Sequence, residues 1–204
     1  MIRALALSAA LGLAACGAQE PAAPPEAPAA PMAPTPPIPE VRSSVDTPLT
    51  AEGWGPLKVG MTIAEITAAL GPDSDPAVGG PDPDICDQFR PARAPEGLLV
   101  MVEQGRLSRI SLIRTSALKT DRGFGLGDTA AAIKAAYGPL AVASPHKYED
   151  APAEYITAWR GRPPAADAPM PPDARGIVYE VGTDGRVRQI HAGGPSIGYV
   201  EGCS

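Results

Sequence analysis

The spacing of apolar residues predicts two short helices. In the first, the apolar positions recur at helical spacing, at Ile63, Ile66 and Leu70. Thr62 precedes this run and Glu65 follows it by three residues, which is the sequence signature of a capping box. Gly71 is followed by proline, a combination that ends helices. The pattern predicts one helix over 62–70. It predicts a second helix over about 129–137, which also ends at a Gly-Pro pair, Gly138-Pro139.

Other apolar runs have the length and residue types of β-strands. The predicted strands are Leu98–Glu103, Leu107–Ile113, Tyr155–Trp159, Ile177–Val181 and Val187–Ala192. Gln104-Gly105 and Asp184-Gly185 are turn sequences, so four of these strands form two hairpins. Along the remaining strand, Tyr155, Thr157 and Trp159 should share one face. We also expect His146 to open a strand.

The two halves of the folded region resemble each other in sequence. Residues 60–72 align with 127–139 without a gap and with 8 identities in 13 positions. A second match, 104–110 with 184–190, has an offset of 80 rather than 67, so the second half carries about 13 extra residues. The Pro-rich run Pro163–Pro172 accounts for most of them. We therefore predict tandem repeats over 49–118 and 119–204.

These patterns predict an α+β fold in which each repeat packs a short helix, or helical hairpin, on an antiparallel β-meander. The sequence resembles the β-lactamase-inhibitor-protein-like superfamily, which includes the SmpA/OmlA small outer-membrane lipoproteins. The matching residues are Leu57–Thr62, Glu65-Ile66 and Leu70-Gly71, echoed by Gly125–Thr129, Ile133 and Tyr137-Gly138. The motif describes how a helix starts and stops, and it assigns no functional residue.

The N-terminus has the layout of a bacterial lipoprotein signal peptide, predicted over 1–15. Arg3 precedes an apolar run that is too short to span a bilayer. Leu13–Cys16 resembles a lipobox, which implies that Cys16 carries lipid, including palmitate, and begins the mature chain. Gly17 rather than Asp at the next position implies the outer membrane, with the protein facing the periplasm. The alternative is a signal peptide without lipid and an incidental cysteine.

Residues 16–48 combine the lipidated cysteine with a Pro/Ala-rich linker. The stretch 17–48 contains 10 Pro, which fixes φ and removes backbone donors. We expect a disordered, extended tether that holds the folded part away from the membrane. A proline-rich ligand for an adaptor domain is the alternative interpretation.

Charge and cysteine content narrow the function further. Lys and Arg number 17 against 23 Asp and Glu, a formal net charge of −6, so a nucleic-acid partner is not expected. With Cys16 assigned to lipid, Cys86 and Cys203 remain as an even pair in an exported protein, which predicts a disulfide. A nucleophilic cysteine is the rival interpretation.

The candidate chemistry is sparse. Five aspartates surround one loop: Asp73, Asp75, Asp82, Asp84 and Asp87. This loop either binds a cation or is simply solvated, since it lacks the EF-hand pattern. The basic stretch that follows, including Arg90 and Arg93, either binds an acidic partner or pairs with that loop. His146 and His191 cannot form a common zinc site without carboxylates. We therefore expect no metal, no cofactor and no enzymatic activity.

The leading hypothesis is an envelope lipoprotein that binds another envelope protein, as scaffold or inhibitor. The possible binding surface comprises Tyr148, Tyr155, Trp159, Tyr199, Arg90 and Arg93. A small-ligand or glycan-binding lipoprotein is the alternative, because aromatic side chains on a sheet can stack on sugars. Coplanar exposed aromatics would favour a sugar, and a broad sheet surface with a polar rim would favour a protein.

Overall fold

The computed structural model describes residues 47–76, 79–161 and 170–204. The signal peptide, Cys16, the linker up to residue 46 and most of the predicted Pro-rich insertion lie outside these ranges. The described strands are β1 Leu49–Thr50, β2 Gly53–Trp54, β3 Leu57–Lys58, β4 Cys86–Phe89, β5 Leu98–Glu103, β6 Arg106–Leu112, β7 Ala141–Pro145, β8 Glu154–Trp159, β9 Gly176–Val181 and β10 Val187–Gly193. The described α-helices are α1 Ile63–Leu70 and α2 Ala130–Tyr137.

The strands form two antiparallel sheets, so the protein has a mixed α/β fold. β1, β2 and β3 make a three-stranded sheet, and the other seven strands form one sheet in the order β4-β5-β6-β10-β9-β8-β7. At its centre β6 pairs antiparallel with β10, with Leu112 opposite Ile190. Strands from both predicted halves therefore belong to a single sheet.

The hydrophobic core lies between the helices and one face of the large sheet. Ile66 and Leu70 of α1 and Ile133 of α2 are fully buried in the same cluster as Ile110 and Ile190 of the central strands. The apolar residues at helical spacing in the sequence are therefore the ones that pack on the sheet, except for Ile63, which is 42% exposed. Among the described residues, no helix is long and apolar enough to cross a membrane.

Both predicted helices are present, and α1 begins at its predicted cap. The Thr62 hydroxyl accepts a hydrogen bond from the Glu65 N–H at 3.3 Å, and the Glu65 carboxylate accepts one from the Thr62 N–H at 2.8 Å. The predicted capping box is thus formed. Thr129 caps α2 through a hydrogen bond from the Ala132 N–H to its hydroxyl. Gly71 follows α1 with a φ of +88°, a conformation that suits glycine.

The predicted strands are also present, to within a residue at each end. The Gln104-Gly105 turn joins β5 to β6 with φ of +50° and +74°, as a two-residue hairpin with right-handed strand twist requires. The expectation for His146 is wrong: β7 ends at Pro145, and His146 starts the following loop. Its ring nitrogen there accepts hydrogen bonds from the N–H groups of Tyr148 and Glu149, in a stretch where the chain bends directly after the strand.

Candidate functional site

The second face of the large sheet, opposite the helices, carries most of the polar side chains of interest. Side chains alternate between the two faces of a strand, and this face carries Tyr155, Glu180, His191, Ser111 and Arg109. Tyr155 lies opposite Glu180, and His191 lies opposite Ser111. The C-terminal segment, residues 194–204, packs over the central part of this face and contacts β6, β9 and β10. The site is therefore a polar sheet surface covered by the end of the chain.

The predicted disulfide holds this segment in place. Cys86 on edge strand β4 is bonded to Cys203, with an S–S distance of 2.03 Å and a sequence separation of 117. Gly80 packs against this bridge, where a Cβ atom would come within 2.8 Å of the Cys203 Cβ. The bridge fixes the segment at the β4 edge of the sheet.

Arg109, on the sheet face that the C-terminal segment covers, also holds this segment in place. Its side chain is 3% exposed, and its guanidinium donates hydrogen bonds to the backbone carbonyls of Ser196 at 3.3 Å and Tyr199 at 2.8 Å. It also donates to the Gln88 side-chain carbonyl at 3.2 Å. Burial lowers the pKa of Arg109 to about 10, so the guanidinium remains charged at neutral pH. The C-terminal segment is therefore held by a covalent bond and by a buried cation.

An open groove of about 890 Å³ surrounds the fixed segment. Three of its lining side chains, Ile85, Tyr199 and Val200, are large, apolar and 62%, 49% and 40% exposed. Charged residues of both signs also line it: Glu103, Arg106, Lys147, Arg175 and Glu201. We call this surface the C-terminal groove.

A smaller and more enclosed cavity of about 290 Å³ lies between the segment and the sheet. Its sheet side is formed by Ser144, Pro145, Tyr155, Thr157, Val178, Glu180 and His191, and its other sides by Lys147 and Ile197–Val200. We call it the sheet cavity. Its lining contains one carboxylate and one imidazole, and the rest of its walls are mostly apolar and aromatic.

Glu180 lies between the two histidines of the chain. Its Oε1 is 3.5 Å from His146 Nε2, and its Oε2 is 3.9 Å from His191 Nε2. Interaction with His191, and secondarily with His146, holds the pKa of Glu180 below its usual value. Burial lowers the pKa of His191, whose imidazole is therefore neutral at pH 7. At that pH the Glu180–His191 pair carries one negative charge, on Glu180.

Two histidines and a carboxylate can also form a metal site, but the hydrogen bonds here do not fit one. His146 Nδ1 accepts hydrogen bonds from the N–H groups of Tyr148 at 3.2 Å and Glu149 at 3.1 Å. The ring proton must therefore be on Nε2, where it faces Glu180 and blocks the lone pair that a metal would need. Within the described part of the chain, no group of three or more acidic, His or Cys residues is placed to hold a metal ion.

Ser111, His191 and Glu180 resemble a hydrolase triad in composition only. Ser111 Oγ is 2.8 Å from His191 Nδ1, and the carboxylate on the far side favours the ring proton on Nε2. However, Ser111 is 2% exposed, whereas a serine nucleophile must reach its substrate. This hydrogen bond therefore orients His191 within the sheet.

The stability of the protein should fall as the pH drops below about 6.5. The pKa of His191 is lower in the folded protein because of burial, so the unfolded chain binds this proton more readily. The resulting stability is complete above the unfolded pKa and is lost as the pH falls through the folded pKa. Glu180 adds to this loss at lower pH because its folded pKa is also lowered. The other groups that face His191 are Arg109 and Ser111, both on β6.

Denaturant unfolding of the full chain between pH 8 and 5 measures this dependence. His191→Gln removes the titrating ring and should flatten the pH dependence between pH 7 and 5. Equal pH dependence in the two proteins would show that His191 is not responsible.

The four predicted aromatic residues do not form one surface. Tyr148 and Tyr199 are exposed, at 62% and 49%. Tyr199 belongs to the C-terminal segment, and Tyr148 lies beside it, where its hydroxyl bonds Glu201. Tyr155 is only partly exposed and stacks on His146, with ring centroids 4.7 Å apart and an interplanar angle of 18°. Trp159, also partly buried, lines a different pocket of about 370 Å³ beside Arg122 and Arg160.

The predicted basic residues lie elsewhere and contact the protein itself. Arg90 forms an ion pair with Asp75 at 3.7 Å, and its N–H donates to the Asp73 carboxylate. Arg93 donates to the carbonyls of Ala68 and Ala69 at the end of α1. Pairing of Arg90 with the acidic loop was one of the two expectations for this stretch. The groups that organise the site, Arg109 and Glu180, were missed, because alternating polar residues on a strand usually face solvent.

Comparison of the chain with protein-family models, with curated proteins and with solved structures finds no match. The resemblance to the β-lactamase-inhibitor-protein-like superfamily therefore stays a prediction, and the function has to be inferred from the site.

Proposed function

We propose that this protein is a lipid-anchored envelope protein whose C-terminal groove binds another envelope protein. The observation that carries the proposal is the clustering of exposed apolar side chains on and beside the covalently fixed C-terminal segment. Of the seven large apolar residues exposed in the described part of the chain, Ile85, Tyr199 and Val200 line this one groove, and Tyr148 bonds to its rim. Exposed apolar clusters with polar rims are typical of protein-binding surfaces.

The fixed backbone of the groove supports a protein partner in a second way. Association costs free energy for every segment that must be ordered. Here the disulfide and Arg109 already hold residues 194–204, so little further ordering is needed on this side of the interface. The rim carries Glu103, Lys147, Arg175 and Glu201, which can set the orientation of a partner.

The aromatic geometry favours a protein over a sugar. Stacking on a sugar needs an exposed ring face, but Tyr155 is covered by His146. Tyr148 and Tyr199 are exposed, while Trp159 lines a separate pocket. A row of coplanar exposed rings is therefore missing among these four residues, and the mixed polar and apolar groove is the better candidate surface.

Two tandem repeats, 49–118 and 119–204, form part of this proposal. Equivalent contacts in the two halves support them, in addition to the sequence match. Arg106 donates to the Gly60 carbonyl at 3.0 Å, and Arg186 donates to the Gly127 carbonyl at 2.8 Å. The residue after each arginine, Leu107 or Val187, accepts a hydrogen bond from the N–H of the same glycine. In this interpretation the groove lies where the second repeat returns to the first.

Membrane attachment rests on the sequence alone. The lipobox ending at Cys16 and the Pro-rich stretch to residue 48 support a lipid anchor, with the folded part in the periplasm at the outer membrane. A tethered protein meets its membrane-bound partners at high effective concentration. A weak groove interface would therefore be sufficient in the envelope.

We expect a photo-crosslinking amino acid at Ile85 or Tyr199, incorporated in cells, to give one discrete protein adduct. The same amino acid at Val142, which is 46% exposed on β7 and outside the groove, is the matched control. The adduct is identified by mass spectrometry, and the purified partner should then bind the full chain. Val200→Glu should weaken that binding about tenfold or more, since it places an unpaired charge in the apolar part of the groove.

The same experiment tests the anchor. Cys16→Ser should move the protein from the membrane fraction to the soluble envelope fraction and reduce the adduct. Adducts of the same kind at Val142 and at the groove positions would exclude the groove as the binding surface. Unchanged fractionation of the Cys16→Ser chain would exclude the lipid anchor.

A further inference from the structure

We propose that the sheet cavity binds a small organic cation, an ammonium or guanidinium group on a short apolar stem, with the Glu180 carboxylate as its counter-ion. This site goes beyond the proposed protein partner. It adjoins the C-terminal groove, with which it shares Lys147 and Gly198–Val200, but Glu180 and the other sheet residues of the cavity do not line that groove. The cavity volume, about 290 Å³, equals that of about ten waters in the liquid. It therefore accommodates a small ligand and is close to the lower limit of typical ligand pockets.

The geometry makes Glu180 available to a ligand. Its side chain is 17% exposed and lines the cavity. The two histidines approach one oxygen each, at 3.5 and 3.9 Å. A carboxylate has about four acceptor positions, so it can still accept hydrogen bonds from a bound cation.

The charges around the cavity favour a cation over an anion. The other ionic side chain in its lining is Lys147, and that ammonium is already paired with Glu201 at 2.8 Å. His191 is buried and neutral at pH 7, so it does not neutralise Glu180. Arg109 lies near the cluster, but its guanidinium is committed to Gln88 and to two carbonyls of the C-terminal segment. The carboxylate is thus the cavity's uncompensated charge.

The walls suit an organic cation better than a hydrated metal ion. Val178 and Ile197 supply apolar surface on opposite sides of the cavity, and the rings of Tyr155 and Tyr199 also line it. Apolar walls favour burial of an alkyl stem, and the half-exposed ring of Tyr199 can attract a cationic head. A metal ion would instead need several oxygen or nitrogen ligands, and the protonated Nε2 of His146 cannot serve as one.

The test is a titration of the full chain carrying Cys16→Ser with n-butylammonium chloride at pH 7 and low salt, followed by amide NMR shifts. Saturable shifts should localise to residues such as Tyr155, Val178 and Ile197. n-Butanol and butyrate have the same carbon chain without the positive charge, and they should bind at least about tenfold more weakly. Equal binding of n-butanol would show an apolar cavity without charge selection and would overturn the proposal.

Two variants distinguish the contribution of the Glu180 carboxylate to binding from that of the cavity space. Glu180→Gln should weaken butylammonium binding about tenfold or more, whereas Glu154→Gln on β8, outside the sheet cavity, should leave it unchanged. Ser144→Phe fills the rim from an exposed position and should abolish binding without altering the charge cluster. Unchanged affinity in Glu180→Gln or in Ser144→Phe would contradict the site, and so would the absence of saturable shifts in the parent protein. Loss of the groove adduct described above would not affect these results.

Discussion

Replacing both cysteines of the disulfide, as Cys86→Ala with Cys203→Ala, should lower the free energy of unfolding by about 4 to 5 kcal/mol. The bridge spans a sequence separation of 117, and in the chain-entropy model a loop of this length strongly restricts the unfolded chain. Domains of this size are stabilised by only about 5 to 15 kcal/mol. We expect the thermal midpoint to fall by roughly 10 to 20 °C.

The measurement is thermal and denaturant unfolding of the full chain, with the wild type under reducing conditions as the control. Reduction should reproduce the loss seen in the double variant. Amide exchange at Ile197 and Tyr199, whose N–H groups are bonded within the C-terminal segment, should accelerate before the sheet unfolds. A midpoint within about 2 °C of the wild type would show that the packed segment holds itself in place without the bridge.

The sequence was informative where local pattern and tertiary packing agree. Both helices begin at threonine caps and bury apolar residues such as Ile66, Leu70 and Ile133, and the hairpin turn at Gln104-Gly105 joins the predicted strands. The disulfide also followed from the even cysteine pair in an exported chain. In these cases the interaction that determines the structure is covalent or joins near neighbours in sequence. The sequence pattern is therefore sufficient to predict the structure.

The short strands and the site depended on contacts that the local pattern does not encode. β4 and β7 are edge strands of four and five residues, and their stability comes from pairing with β5 and β8. Arg109 is flanked by Ser108 and Ile110 and has the character of a solvent-facing strand residue. It is nevertheless buried beneath residues 87 and 90 positions later in the chain. The predicted disulfide was the one available signal, since it requires the C-terminus to cross the sheet toward Cys86.

Arg109→Met should destabilise the protein by about 3 kcal/mol, although methionine has a similar length and no charge. The substitution leaves the carbonyls of Ser196 and Tyr199 and the Gln88 side chain without their donor. Buried acceptors without partners cost about 1 to 3 kcal/mol each. The loss is smaller than the sum because Arg109 Nε itself has no hydrogen-bond partner among the described residues, and this cost is removed.

Arg188→Met is the matched control, because Arg188 pairs with Glu149 at the surface and is 44% exposed. An exposed pair contributes at most about 1 kcal/mol, so a loss as large as that of Arg109→Met would assign the effect to charge in general. Arg109→Lys keeps the charge but not the planar fork, and it should recover only part of the stability.

The disulfide and Arg109 hold the same segment, so their effects should not be additive. Arg109→Met should therefore cost less in the chain without the bridge, where the freed carbonyls can turn to water. Full additivity would mean that the two restraints act on separate parts of the fold.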